Sequence, residues 1–166
     1  GRALANAWAD RFVAHVKVDT MPGWLTAPVV VLLAATDRWG AALPVLDVGE
    51  AKALTDSVRG VGQPAGFMYY HRHLRLLRAL ALAHTGRRAE AERIDAELAR
   101  TDGARWDRGR SAMARAVIAA HLGNADRAVA LATRALAEGG LTWSPVRYNG
   151  TAGLAHDPLF LPLRND

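Results

Sequence analysis

Residues 78–91 (RALALAHTGRRAEA) return 37 positions later as residues 115–128 (RAVIAAHLGNADRA), and this internal period restricts the fold more than any other feature of the chain. Six positions agree: Arg78 with Arg115, Ala79 with Ala116, Ala83 with Ala120, His84 with His121, Gly86 with Gly123, and Ala91 with Ala128. A fixed period of this size marks a solenoid, in which each helical hairpin hides its apolar face against the next. Ala79 and Ala91, like Ala116 and Ala128, are expected where the two helices of a hairpin cross, because only a short side chain allows close approach there. Gly86 and Gly123 supply the left-handed backbone that ends the first helix of each pair.

The rest of the chain is dominated by helix signals. β-Branched residues cluster only at Val29, Val30 and Val31, and no stretch alternates strictly over six residues, so the fold class is all-α. Helices are expected over 3–16, before Met21-Pro22-Gly23, and over 27–38 with Pro28 in the first turn. Asp47 and Glu50 have the spacing of a capping box, while Pro44 leaves open whether that helix begins earlier. It should end near Arg59 and Gly60, with a loop over 60–64. The longest helix follows over 65–85, then 88–100, a turn at Thr101-Asp102-Gly103, 107–122, and 125–137. Connections this short place consecutive helices antiparallel.

A small residue, a glycine seven positions on and an alanine five further is the spacing of the tetratricopeptide repeat, and residues 65–140 resemble two such hairpins. The resemblance implies a right-handed superhelix of antiparallel helical hairpins. A weaker copy falls at 27–58, with Thr36 in the glycine position and Ala41 in that of the second alanine, so residues 1–64 are expected to hold a degenerate repeat. Two departures stand out: Arg78 and Arg115 occupy a position that is usually large and apolar in that family, and its usual period is shorter, so the connection near 101–105 is expected to be longer. Residues 155–164 (AHDPLFLPLR) look like the segment that closes helical-repeat regions in many multidomain bacterial regulators, including kinases, cyclases and transcription activators. In that reading 141–166 cap the solenoid, Asp157 caps a last helix that starts at Pro158, and Leu159, Phe160 and Leu163 cover the end of the last hairpin.

Composition narrows the functional classes. The 166 residues are 51% hydrophobic, enough to bury one core, and contain no cysteine, which excludes disulfides and thiolate chemistry and fits a cytoplasmic chain. The most apolar run, 27–35, is half the length of a membrane span, so the chain reads as soluble. It opens on Gly1 and reads as a segment of a longer polypeptide. The 21 basic against 16 acidic residues give +5, almost all from arginine. A nucleic-acid surface is one reading of that excess, with Arg72, Arg75 and Arg78 forming a basic ridge. The other is an Ala- and Arg-rich composition of high-GC genomes, with the ridge paired to acids of the following helix. Tyr69 and Tyr70 are the only close aromatic pair, thin for single-stranded nucleic acid.

Catalytic signatures are missing: there is no Gly-rich phosphate loop, no Gly-x-Ser-x-Gly elbow and no His-Glu-x-x-His motif. His71 and His73 point apart on a helix and cannot share a metal ion, and no cofactor is expected. His84 and His121 either cover the last carbonyls of their helices or contact a ligand. Transfer of the repeat family's groove positions implies a partner-binding groove of His73, Leu76, Leu80 and His84 from one hairpin and Arg110, Met113, Val117 and His121 from the next. Such a groove, apolar in the middle and basic at its ends, suits an acidic peptide. The expected function is therefore a non-catalytic regulatory or scaffolding module that binds protein or peptide, with a basic nucleic-acid accessory domain as the alternative. Self-association through Trp8 and Phe12 is a third reading.

Overall fold

The computed structural model describes residues 2–15, 17–21, 23–58, 64–102 and 107–139. These residues form seven α-helices and two single-turn 3-10 helices, and no strand occurs among them. They divide between two compact units, Gly1–Thr85 and Gly86–Asp166. The division falls inside the segment 65–140, just before Gly86.

The first unit contains α1 (Arg2–His15), α2 (Thr26–Ala35), α3 (Trp39–Val58) and α4 (Pro64–His84). Helix α3 packs against both α2 and α4, and α1 lies on α2. Val30, Leu33, Ala42, Leu46, Leu74 and Leu77 are fully buried, each leucine contributing roughly 1.5 to 3 kcal/mol of transfer free energy. Close packing of α2 on α3 depends on Gly49, where a Cβ would overlap the Thr26 side chain. Lys52 on α3 donates to the Asp19 carbonyl at 2.8 Å and to that of Met21, which ties the 3-10 turn Val18–Thr20 to the helix.

Two expectations are corrected here. Asp47 and Glu50 do not start a helix; α3 begins at Trp39 and runs through Pro44, so both carboxylates lie in its interior. Pro44 removes one hydrogen bond to the carbonyl of Gly40, and both residues are exposed, so solvent can take the freed group. In the weaker repeat, the left-handed residue that ends α2 is Asp37 (φ 59°) and not Thr36. The N–H of Arg38 reaches the Leu33 carbonyl at 2.7 Å and that of Asp37 reaches Ala34 at 3.0 Å, the two bonds of a Schellman turn. The register thus moves by one, and Ala42, fully buried, takes the place expected of half-buried Ala41.

The second unit contains α5 (Arg88–Ala99), α6 (Arg110–His121) and α7 (Ala125–Ala137). Helix α6 packs on both α5 and α7, and nine of its twelve residues are buried. Its connection to α7 is Leu122-Gly123-Asn124, short enough to make the two an antiparallel hairpin. Ala116, Ala119, Ala120, Ala128 and Leu131 form one apolar cluster, so Ala116 and Ala128 share the core of this hairpin as their small size demands. Gly123 (φ 75°) closes α6, with its own N–H on the Ala120 carbonyl at 3.0 Å and that of Asn124 on Ala119 at 2.9 Å. The Asn124 side chain then caps α7 by accepting from the Arg127 N–H at 3.2 Å.

Helix α6 starts three residues later than Asp107, and the reason is visible. Fully buried Asp107 stays outside the helix and accepts from the Ser111 N–H at 2.9 Å and the Ser111 hydroxyl at 3.0 Å. Between them Gly109 (φ 72°) turns the chain so tightly that any Cβ there would strike the Ala135 backbone on α7.

Candidate functional site

The eight residues expected to line a groove separate by burial. In the first unit Leu76 and Leu80 are fully buried, His73 is buried at 7% exposure, and His84 is exposed. In the second, Met113 and Val117 are fully buried, while Arg110 and His121, the first and last residues of α6, are half-buried. The four apolar members therefore serve the core, and the polar ends His84, Arg110 and His121 are what solvent reaches. Burial holds the His73 imidazole down to a pKa of about 4, so it is neutral at physiological pH. His71, two residues earlier, is exposed, and the two rings occupy different sides of α4.

His84 lies on an aromatic platform. Its ring stacks on that of Trp39, the first residue of α3, with centroids 4.3 Å apart and planes 4° from parallel. Trp39 is only 8% exposed, so the stack covers one face of the imidazole. This burial lowers the His84 pKa, and the nearby Asp37 carboxylate opposes the shift. The stacked pair stands at the end of α4.

The repeated arginines are anchored rather than available. Arg78 donates from Nε to Glu50 at 2.9 Å and from Nη2 to Asp47 at 2.7 Å, and Arg75 approaches Glu50 at 3.9 Å. Arg115 does the same in the second unit, from Nε to Asp95 at 3.2 Å and from Nη1 to Asp102 at 2.5 Å. Arg127 also pairs with Asp95 and Arg134 with Asp102, so three guanidinium groups surround two carboxylates that are 8% and 6% exposed.

The basic ridge is corrected accordingly. Arg72 is buried at 5%, and Arg75 and Arg78 pair with acids of the preceding helix α3, not the following one. This clamp explains why an arginine stands where a large apolar residue was expected. The signal was present in the sequence: Arg78 and Arg115 hold the same place in the repeat, and each has two acids upstream on the helix it packs against or just beyond its end.

Among the described residues no group of three or more His, Cys, Asp or Glu is placed to hold a metal ion. No described helix is long and apolar enough to cross a membrane. The side chains of Tyr69 and Tyr70, and all of the proposed cap at 141–166 with Asp157, Pro158, Leu159, Phe160 and Leu163, lie outside the described residues. No family model matches the chain, and no curated protein and no solved structure matches it either.

Proposed function

We propose that this chain is a non-catalytic, tetratricopeptide-like repeat module that binds a protein or peptide, as a regulatory or scaffolding part of a larger bacterial cytoplasmic protein. In this reading its hairpins stack as a right-handed superhelix. The observation that carries it is the shared setting of Gly86 and Gly123: each follows the last turn of a helix, with φ of 78° and 75°, two residues after a histidine. Full burial of Ala79, Ala91, Ala116 and Ala128, and the matched clamps of Arg78 and Arg115, support it from independent positions. Repeats of this kind gain stability by stacking and offer long surfaces to partners.

With the apolar positions buried, recognition falls to polar groups: His84 on its Trp39 platform in one unit, and Arg110 with His121 in the other. Such groups suit a partner with carboxylates or backbone carbonyls. The test is affinity purification from cell extract with the wild-type chain and with a His84→Ala, Arg110→Glu, His121→Ala variant. A protein held by the first and lost by the second supports the reading; identical capture of every partner contradicts it.

The alternative of a nucleic-acid accessory domain has less support. Nine arginines, Arg38, Arg75, Arg78, Arg87, Arg88, Arg93, Arg115, Arg127 and Arg134, already pair with carboxylates and would have to exchange these for phosphates. A steep loss of duplex binding with rising salt would restore that alternative.

A further inference from the structure

We propose that the outer face of α1 docks an amphipathic helix of a partner protein, one that carries acidic residues beside its apolar stripe. This surface is separate from the histidine-bearing positions above, and the inference stands or falls without them. Helix α1 has an inner side fixed to its own unit: Ala9 is fully buried, and Arg38 bonds Asp10 at 2.5 Å and Asn6 at 3.2 Å. The opposite side presents Leu4 at 64% and Trp8 at 60% exposure, four residues and one turn apart. The same face continues through Arg11 and His15, both exposed. Along about 17 Å of helix, at 1.5 Å per residue, it therefore changes from apolar to basic.

Charge decides the occupant. Arg11 takes part in no ion pair or side-chain hydrogen bond among the described residues, unlike the nine paired arginines above. Tryptophan and arginine are the side chains that most often dominate binding energy at protein interfaces, and here they stand three residues apart. In a second copy of α1 the one acid, Asp10, stands on the side that meets Arg38 and not on the face of Leu4 and Trp8, so two such faces bring no carboxylate to Arg11. A lipid surface would meet only two large apolar side chains on this face. A helix with leucines against Leu4 and Trp8 and glutamates against Arg11 and His15 satisfies both halves.

The experiment uses the whole chain and a synthetic Leu/Ala helix with glutamates flanking its leucine stripe, read by fluorescence anisotropy. A peptide with lysine in place of glutamate, and vesicles of anionic phospholipid, are the other two arms. Expected are saturable binding of the glutamate peptide, at least about tenfold weaker binding by Trp8→Ala and by Arg11→Glu, and unchanged binding by Val129→Ala, which alters an exposed apolar residue on α7. Both substituted residues are exposed, so circular dichroism should stay that of the wild type. Equal binding of the two peptides, no binding of the glutamate peptide, or variants that bind as the wild type does would each overturn the proposal. So would vesicle binding without peptide binding, or dimerisation in sedimentation that Trp8→Ala abolishes.

Discussion

Arg115 reaches Asp102 at 2.5 Å with one nitrogen and Asp95 at 3.2 Å with another, so a single guanidinium on α6 ties down two nearly buried carboxylates. Arg134 shares Asp102, but its side chain is 46% exposed against 15% for Arg115. Loss of Arg115 takes the buried partner from both carboxylates and leaves them only the more exposed Arg127 and Arg134, whereas a solvated pair adds little. Arg115→Ala is therefore expected to cost about 3 kcal/mol and Arg134→Ala about 1 kcal/mol or less. Urea denaturation of the two variants checks this, and equal losses would show that Arg115 is not the clamp.

A second expectation concerns the glycines. Gly86 and Gly109 are both left-handed, at φ 78° and 72°, but a Cβ on Gly86 would meet open space while one on Gly109 would strike the Ala135 backbone. Gly86→Ala then bears only the conformational strain, about 1 to 2 kcal/mol. Gly109→Ala adds an overlap with backbone that cannot rotate away, and should lose at least about 1 kcal/mol more. A Gly109→Ala variant as stable as Gly86→Ala would refute the close approach of α7.

Burial of His73 sets a pH dependence. Its pKa is about 4 in the folded chain against 6.5 for an ordinary imidazole, so as pH falls below 6.5 the unfolded chain takes up a proton that the folded chain refuses. Stability falls across that window and levels off below about 4, where both states are protonated. Between pH 7 and pH 5 the wild type should lose about 2 kcal/mol that a His73→Leu variant keeps. Parallel pH profiles for the two proteins would count against a buried, neutral His73.

The stack of His84 on Trp39 gives a site-specific readout. Because cover of the ring lowers the His84 pKa, Trp39→Ala should raise it toward 6.5, measured from the imidazole proton shifts by NMR. A value unchanged or lower in the variant would mean that Trp39 does not shield the imidazole.

Much of the helix pattern was legible because the cues were local. Gly86 and Gly123 marked helix ends, and Ala116 and Ala128 the close approach of α6 and α7, since a left-handed turn or a tight crossing admits few residue types. What could not be read from local spacing was partner choice. Asp47 and Glu50 look like a helix start, and only packing of α3 against α4 reveals them as the acceptors of Arg78. Burial was not legible for a related reason: Leu76, Leu80, Met113 and Val117, all fully buried, have the periodicity of an apolar lining, and periodicity does not distinguish a lining from a core. Trp39 under His84 had no sequence signal at all, because 45 residues separate the two rings.

A crystal structure of the chain, with the backbone of residues 78–91 superposed on residues 115–128, tests the repeat most directly. If both segments are copies of one hairpin, they coincide along their length, with Gly86 falling on Gly123. Two segments that leave Gly86 and Gly123 in different directions would contradict the stacked-hairpin reading and the interaction role built on it.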